Sequence, residues 1–320
     1  MTTKSEVELL FEWLDKTATE QLSTNEGSFL DALALAAEKL FEEEDAASFS
    51  FEQWNSEFIR KGLQLGILKG MKEGVQAHHA MTPDGVALFV AFLINKWLGD
   101  RNEWSLLDPA TGTSNLLTAI INQSVHKPTF VQAAEVDETL MRLSAASANL
   151  QRHPIAFSHQ DALQPMYMKE ADVVVCDLPV GFYPGDTNGY SLADATNERM
   201  PFSHYLFIEQ ALRYCKDSGY LFLIVPNTLF EMDETRALHH FITSHALIHC
   251  FFQLPESMFQ QKHHAKSILV LQKKGNEAIQ PKDVLISMLP SLKDEAKVRS
   301  AMMQIGQWHA EHLQNKEQSS

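Results

Sequence analysis

The sequence predicts an α/β protein in which a mostly parallel sheet follows a small bundle of helices. In residues 5–68, apolar side chains recur at helical spacing. From Trp104 onward, short apolar runs alternate with helical stripes, the order typical of parallel strands joined by crossover helices. A turn of small residues separates the first run from the helix after it. These observations predict two domains, residues 1–79 and residues 80–320.

Three amphipathic stripes predict three helices at the front of the chain. Apolar side chains lie three or four positions apart within residues 7–14, 29–40 and 51–59. A helix with one apolar face buries that face against a neighbour, so these helices should form a bundle. Another helix is expected after residue 80, where Thr82 is placed to cap its start and Pro83 suits its first position.

The segment 104–117, WSLLDPATGTSNLL, is the stretch around which the rest is organised. Residues 105–107 fit a strand buried on both faces, and an apolar helical stripe begins at Leu116. Between them, residues 112–114 let a ligand approach the backbone, and the helix start offers unpaired N–H groups. The pattern favours a nucleotide-binding turn over an ordinary strand–helix connection. A dinucleotide-dependent dehydrogenase is disfavoured, because its loop needs three glycines and only Gly112 is present.

More strands and helices are expected after this turn. The strands are expected at residues 130–136, 155–158, 171–177, 219–225 and 284–289, and the helices at 203–215 and 292–313, before a polar tail at 315–320. A carboxylate at the tip of the second strand can accept both ribose hydroxyls of a nucleotide, and Glu135 suits this role. Asp137 has the alternative role of a helix N-cap. Asp177 opens a loop rich in Gly, Pro and aromatic residues, where catalytic residues are often found.

The charge of the chain argues against tight DNA binding by the protein alone. The net charge is −15; residues 1–100 carry 8 Lys or Arg against 17 Asp or Glu, and the remainder carries 18 against 24. A protein that grips DNA usually presents a basic face, because phosphate neutralisation supplies most non-specific affinity. Nucleic-acid binding would therefore need a local basic patch or a protein partner.

The cysteines and the apolar runs indicate a cytoplasmic protein. Cys176, Cys215 and Cys250 are far apart and lie in apolar surroundings, as buried thiols of a reducing compartment do. Neither a C-x-x-C pair nor a suitable histidine spacing predicts a structural metal. The start of the chain lacks a basic leader, and no apolar run approaches membrane-spanning length. The oligomeric state is left open.

The segment 108–114, DPATGTS, resembles the first motif of S-adenosylmethionine-dependent methyltransferases. Its form, D-P-(A/C)-x-G-(S/T)-G, is typical of methyltransferases that act on the adenine amino group of DNA. Further segments resemble later motifs of that family in the same order: 133–135 resembles G-x-E, 160–163 resembles G-D-(T/A)-L, 177–180 resembles (N/D)-P-P-(Y/F), and 219–230 and 254–274 resemble its closing strands. The resemblance covers residues 80–274.

Two more features are similar to the modification subunits of type I restriction systems. One is the leading helical bundle. The other is the segment 81–83, Met-Thr-Pro, which resembles an (F/Y)-T-P segment that closes over the methionine end of the cofactor. The chain also resembles the small YtxK-like proteins of Gram-positive bacteria. The resemblance implies a Rossmann-like sheet of seven strands, mostly parallel, with the last strand antiparallel.

The cofactor implied by the resemblance is S-adenosylmethionine. Glu135 would bind its ribose, and Asp161 would meet its adenine amino group, with an unliganded turn acid as the alternative for Asp161. The resemblance implies the following cofactor-binding residues: Met81, Thr82, Pro83, Asp108, Pro109, Ala110, Gly112, Ser114, Asn115, Glu135, Val136, Asp161, Ala162 and Asp177.

The loop that begins at Asp177 is where such methyltransferases hold the target amine. An exocyclic amine is a poor nucleophile because its lone pair is delocalised into the ring. The site must therefore accept hydrogen bonds from the amino hydrogens and align the nitrogen with the sulfonium methyl group. Asp177 and the Leu178 carbonyl could supply these acceptors, and together with Pro179 they are the implied catalytic residues.

Three departures from the family pattern matter. Ser114 replaces the second glycine, Leu178 replaces the first proline, and Val180 replaces the aromatic residue that stacks on a flipped base. In the segment before the turn, Met81 also replaces an aromatic residue. The candidate substrate-binding residues are Val180, Phe182 and Tyr183, the last two as possible substitutes for the missing aromatic ring.

The resemblance implies transfer of a methyl group to the amino group of adenine in DNA. Because no separate target-recognition domain fits after residue 283, a protein partner for target recognition is expected. Two alternatives stay open. One is a protein that binds S-adenosylmethionine without catalysis and acts through a partner, and the other is a methyltransferase for RNA or for a protein amide.

Overall fold

A computed structural model describes residues 4–23, 26–43, 54–73, 81–195, 200–230, 235–259 and 264–313. Three sequence predictions fall outside these ranges: the domain boundary between residues 79 and 80, the contribution of Phe51 to the third helical stripe, and the polar tail at 315–320.

Three helices form the expected bundle: α1 (Glu6–Leu22), α2 (Phe29–Glu42) and α3 (Ser56–Glu73). Capping boxes start the first two, in which the Ser5 and Ser28 side chains accept from backbone N–H groups one turn later. Their apolar faces share a core that includes Leu10, Leu33 and Leu63. The same core takes in Leu140, Leu143 and Leu150 of a later helix, Glu138–Leu150, so the bundle packs directly against the sheet and its helices.

Glycines on α3 set how closely the bundle packs. A Cβ atom built on Gly62 would lie 2.7 Å from a methyl carbon of Leu10, and one built on Gly70 would lie 2.5 Å from a methyl carbon of Leu30. Both distances are too short for carbon atoms. The spacing of Gly62, Gly66 and Gly70, one helical turn apart, therefore keeps one face of α3 bare for its neighbours.

The sheet domain alternates strands and helices as expected. Its elements are α4 (Asp84–Leu98), β1 (Ser105–Asp108), α5 (Asn115–Gln123), β2 (Phe130–Glu135), α6 (Glu138–Leu150), β3 (Ile155–His159), β4 (Ala171–Asp177), α7 (Ser203–Arg213), β5 (Cys215–Pro226), α8 (Thr235–His245), β6 (Ala246–Gln253), β7 (Lys266–Lys273), β8 (Leu285–Met288) and α9 (Glu295–Leu313).

The strand order is β3-β2-β1-β4-β5-β7-β6-β8. β7 runs antiparallel to both of its neighbours, and the other neighbouring strands are parallel. The mixed α/β class and the antiparallel strand are confirmed. The sheet has eight strands rather than seven in the described residues, because β8 adds to the edge beside β6.

The order of the strands reverses beside β1, which lies between β2 and β4. In open parallel sheets, ligands bind in the crevice at such a switch point, beyond the carboxyl ends of the strands. One apolar core joins this sheet to α4, α5 and α9, and another joins it to α7 and α8. All three cysteines are buried as free thiols, as predicted. Within the described ranges, no helix is both long enough and apolar enough to cross a bilayer.

Candidate active site

In the turn after β1, two residues adopt the left-handed backbone conformation. Gly112 and Ser114 both have φ of 57°. No atom within 4 Å would meet a Cβ built on Gly112, so space is open beside this residue. Pro109 is buried and Ala110 is half-buried at the start of the same turn. The open space lets a ligand approach the backbone at Gly112, as predicted. The N–H groups of Thr111, Gly112 and Ser114 are already paired, since they donate to the Ala134 carbonyl, the Glu135 side chain and the Thr111 carbonyl.

Ser114 replaces a family glycine but keeps a conformation that favours glycine. The left-handed region is about 1–2 kcal/mol less favourable for an ordinary L-residue. Local hydrogen bonds hold the serine there: its N–H donates to the Thr111 carbonyl at 2.8 Å, and its hydroxyl lies 3.0 Å from the Thr111 hydroxyl. Its carbonyl accepts from the Thr118 hydroxyl at 2.7 Å. The departure at Ser114 therefore leaves the shape of the turn in place.

Asp108 ends β1 as a buried acid beneath this turn. Burial, with a smaller contribution from the nearby charge of Glu135, raises its pKa to about 7. The Ala110 N–H, 3.2 Å from Oδ1, and the Cys176 thiol act in the opposite direction as hydrogen-bond donors. The carboxyl group is therefore held near the balance between its neutral and charged forms.

Glu135 is fixed at the tip of β2 by three backbone N–H groups. Its Oε2 accepts from Gly112 at 2.7 Å, and its Oε1 accepts from Val136 at 2.9 Å and Asp137 at 3.0 Å. Val136 is exposed beside it. Asp137 is the N-cap of α6, where its side chain accepts from the Leu140 N–H at 2.9 Å. The alternative role for Asp137 is thus confirmed.

Asp161 and Tyr183 meet, although they were predicted for different roles. Asp161 Oδ1 accepts from the Leu163 N–H at 2.9 Å, and Oδ2 accepts from the Tyr183 hydroxyl at 2.7 Å. The Gln164 side chain donates to the same hydroxyl at 2.8 Å. Ala162, which follows Asp161 in sequence, is buried. The Tyr183 phenol is thus hydrogen-bonded to the acid that was predicted to contact adenine.

Asp177 is held by two side chains from distant parts of the chain. Its Oδ1 accepts from the Lys266 ammonium at 2.5 Å, and its Oδ2 accepts from the Thr82 hydroxyl at 2.9 Å. Asp177 ends β4, whereas Lys266 begins β7. Because β7 is antiparallel, its first residue lies at the edge where the parallel strands end. The sequence analysis did not predict a role for Lys266. The apolar pattern of β7 does not reveal the direction of the strand, and only the antiparallel direction places its first residue beside Asp177.

Thr82 does not cap α4, contrary to the sequence prediction. The helix begins at Asp84, Pro83 is the N-cap residue, and no side chain caps it. The Thr82 hydroxyl donates instead to Asp177, and the Thr82 carbonyl accepts from the Asn115 side chain at 2.9 Å. Met81 packs against the core of the helical bundle. Thr82 therefore connects the end of β4 to Asn115, which directly follows the turn at residues 108–114, the cofactor turn.

The loop after Asp177 differs locally from the family pattern. Leu178 has a buried side chain, and its N–H donates to the Ile224 carbonyl at 3.0 Å. Proline lacks this donor, so the leucine extends the pairing of β4 with β5 by one residue. Pro179 and Val180 are exposed. Phe182 is 48% exposed, and its ring stacks on Phe202 with the ring centres 5.1 Å apart.

The groups along this edge fit S-adenosylmethionine. Glu135 is a fixed acceptor whose chemistry suits ribose hydroxyls, and Asp161 is an acceptor whose chemistry suits an amino group. Val136 is an exposed apolar residue that follows Glu135 in sequence. Asp108 is a buried acid that a cationic ligand would favour in its charged form.

The fold is that of the class I S-adenosylmethionine-dependent methyltransferases, and S-adenosylmethionine is the cofactor. The chain belongs to the N-6 DNA methylase family, whose model matches residues 70–314. The sequence predictions of family, fold and cofactor are thereby confirmed.

Three relatives illustrate the match. YtxK, an uncharacterised protein of Bacillus subtilis, is 36% identical over 95% of this chain and 98% of its own length. The crystal structure assigned to a class I S-adenosylmethionine-dependent methyltransferase from Listeria monocytogenes is 37% identical, with a TM-score of 0.87, and covers 95% of this chain and 98% of that one. A type I restriction-modification methyltransferase subunit from Streptococcus thermophilus is 14% identical and shares the fold, with a TM-score of 0.67 over 94% of this chain and 74% of that one.

Proposed function

We propose that the protein is an active methyltransferase that transfers a methyl group from S-adenosylmethionine to the exocyclic amino group of adenine in DNA. The observation that carries this proposal is Asp177, an acceptor at the end of β4 that is held between Lys266 and Thr82. The family membership of the chain supports the same substrate.

The cofactor is proposed to lie across the carboxyl ends of β1, β2 and β3. In this placement Glu135 binds the ribose, Asp161 binds the adenine amino group, and Val136 and Ala162 contact the adenine ring. The turn at 108–115 approaches the methionine part, and residues 81–83 cover it. The sulfonium of the bound cofactor would supply the methyl group, which its positive charge makes electrophilic. The protein would bind the cofactor, orient it and shield it from water.

The target amine is proposed to meet Asp177 and Lys266 together. Each carboxylate oxygen can accept two hydrogen bonds. Since Lys266 and Thr82 each occupy one oxygen, Asp177 keeps capacity for the amino group. Lys266 adds a donor beside this acceptor, which suits an amine next to a ring nitrogen. The Leu178 carbonyl is the proposed second acceptor, and Phe182 is the proposed stacking ring.

Target recognition is proposed to depend on a protein partner. The net charge of −15 opposes binding to DNA phosphates by the isolated chain. The Streptococcus thermophilus relative is a subunit of a type I system, which supports an assembly of this kind. Titration of the isolated protein with random duplex DNA should give affinity no tighter than the non-specific range of about 10⁻⁴–10⁻⁶ M. Tighter binding would contradict this part of the proposal.

The direct test offers labelled S-adenosylmethionine with duplex DNA, RNA and cell protein in parallel. We expect label in DNA, recovered after digestion as the N6-methyl nucleoside of adenine. Label in RNA or in protein amide groups would replace DNA with that substrate class.

A second candidate is a protein that binds the cofactor without catalysis. The ion pair of Asp177 with Lys266 and the added hydrogen bond from the Leu178 N–H to the Ile224 carbonyl favour it. The first takes part of the acceptor capacity of Asp177, and the second ties the Leu178 backbone to β5. Tight binding of S-adenosylmethionine without methyl transfer to any of the three substrates would support this candidate.

A further inference from the structure

Arg60 belongs to α3 of the helical bundle, yet its guanidinium is buried beside the cofactor turn, with 2% of the residue exposed. Its Nε and Nη2 donate to the two carboxylate oxygens of Glu57 on the same helix, at 2.8 and 2.7 Å. Its Nη1 donates to Asp84 at 2.9 Å and to the side-chain carbonyl of Asn115 at 2.5 Å. One side chain thus joins the bundle to two segments of the sheet domain.

Those two segments flank the proposed cofactor site. Asp84 is the first residue of α4, and Asn115 is the first residue of α5, directly after the cofactor turn. The Asn115 amide nitrogen also donates to the Thr82 carbonyl at 2.9 Å. Gln64, one turn after Arg60 on α3, adds a second donor to Asp84 at 2.7 Å. Asn115 therefore hydrogen-bonds the segment 81–83 to the cofactor turn, and Arg60 hydrogen-bonds the residues that flank this segment and the turn, Asp84 and Asn115, to α3.

We infer that Arg60 is a positioning residue for cofactor binding, which makes the helical bundle part of the S-adenosylmethionine site. It acts through Asp84 and Asn115 to hold residues 81–83 against the cofactor turn. This arrangement requires arginine, because its planar guanidinium presents five N–H donors in a fixed fork, whereas a lysine ammonium is a compact point charge. The inference rests on the proposed placement of the cofactor.

The same interface provides a matched control at Arg142. This residue of α6 donates through Nε and Nη2 to Glu38 of α2, at 2.9 and 2.6 Å. It therefore joins the bundle to the sheet domain by a similar ion pair, but through α2 and α6 and not through the cofactor turn.

The experiment titrates Arg60→Met, Arg60→Lys and Arg142→Met with S-adenosylmethionine by calorimetry, at a temperature where circular dichroism shows each variant folded. We expect Arg60→Met to raise the Kd about tenfold or more and Arg60→Lys to recover only part of the affinity. Arg142→Met should lower the melting temperature while its Kd stays within about twofold. A purely structural role would lower both melting temperatures and leave both Kd values unchanged. A Kd for Arg60→Met within about twofold of wild type would overturn the inference.

Two further variants separate the possible failures. If Arg60→Met does not fold, Asp84→Ala replaces it, because the Asp84 side chain is 32% exposed and lies outside the core. Unchanged affinity of Asp84→Ala would then overturn the inference. Glu135→Ala tests the cofactor placement by itself. If it weakens binding while Arg60→Met does not, only the role of Arg60 is wrong, and if neither variant weakens binding, the placement is wrong as well.

Discussion

The proposed site has a cofactor half, around Glu135 and Asp161, and a target half, around Asp177, and the two are assembled in different ways. In the cofactor half, backbone N–H groups position Glu135 and Asp161, some of them only one or two residues away in sequence. In the target half, Asp177 is positioned by side chains that are 95 and 89 residues away. Contacts between near neighbours produce a short sequence motif, so the cofactor half can be recognised from the sequence. The target half depends on contacts between distant segments, so no short motif reveals its arrangement.

Removing the acceptor of the target half should have the largest effect. We expect Asp177→Ala to lower methyl transfer about 100-fold or more, because hydrogen bonds aimed at developing charge act mainly in the transition state. Binding of S-adenosylmethionine, measured by calorimetry, should fall far less than methyl transfer, because the proposed ribose and adenine contacts lie at Glu135 and Asp161 and only the hold on Thr82 is lost. Asp177→Asn is the matched control, since it keeps an acceptor oxygen and should retain most activity. Equal activity of Asp177→Ala and wild type would contradict the division into halves.

Removing the ribose acceptor should act on the cofactor half alone. Loss of a buried, hydrogen-bonded acid costs roughly 1.5–3 kcal/mol, or about 10- to 150-fold in affinity. Glu135→Ala should weaken S-adenosylmethionine binding by this factor, because three N–H groups also lose their acceptor. Glu135→Gln, which keeps one acceptor oxygen, should lose less. Calorimetry gives both values, and an unchanged Kd for Glu135→Ala would remove Glu135 from the site.

The pH dependence of cofactor binding should follow Asp108. Burial raises its pKa to about 7, so the group is mostly neutral at lower pH. A cationic sulfonium favours the carboxylate, and affinity should therefore rise by at most about tenfold per pH unit below pH 7 and then level off. The slope should be absent from Asp108→Asn. A parallel pH dependence in wild type and Asp108→Asn would exclude Asp108 as the cause.

The stability of the protein without cofactor should respond to Asp108 with the opposite sign. The pKa of Asp108 in the folded chain lies above the value of about 3.9 expected in an unfolded chain. Ionising this group therefore opposes folding. Its contribution to the free energy of unfolding should fall as pH rises from about 4 to 7 and be constant above that. Denaturant titrations of wild type and Asp108→Asn across this range isolate the contribution.

Adding an aromatic ring to the target half should give the smallest effect. Stacking of a base on an aromatic side chain contributes about 1–3 kcal/mol, so Val180→Tyr should tighten substrate binding about fivefold at the low end. Val125→Tyr controls for an added exposed ring, since Val125 lies at the end of α5 and is also exposed. The KM for the nucleic-acid substrate is the measurement. Equal effects of the two variants would show that Val180 does not face the base.

The fold was predictable where side-chain pattern decides the structure. The limits of β4 match the sequence prediction, because six of its seven residues are buried and its centre, Val173 to Cys176, is apolar. β5 begins four residues earlier than predicted, at Cys215, although Lys216 and Asp217 are exposed. Its backbone still pairs with β4 across an irregularity, and backbone hydrogen bonds do not require apolar side chains.

The site was predictable only where it is local. The turn, Glu135 and Asp161 lie next to strand ends that the apolar pattern reveals. Lys266 and Arg60 could not be found in this way, because their partners are set by strand direction and by the packing of the bundle. Thr82 shows the same limit. Its neighbours in sequence suggested a helix cap, whereas a tertiary contact with Asp177 takes its hydroxyl.

The antiparallel direction of β7 has a consequence for how mutations reach the site. A parallel β7 would carry its first residue to the opposite edge of the sheet, roughly 23 Å away at about 3.3 Å per residue. In the observed direction, the register of β7 fixes where the Lys266 charge lies. That register is held by buried residues such as Leu269 and Val270, which pair with Leu223 and Phe222 of β5. A one-residue insertion in β7 would turn the lysine to the other face of the sheet. The ion pair between Lys266 and Asp177 can therefore be disrupted by mutations in the buried part of β7.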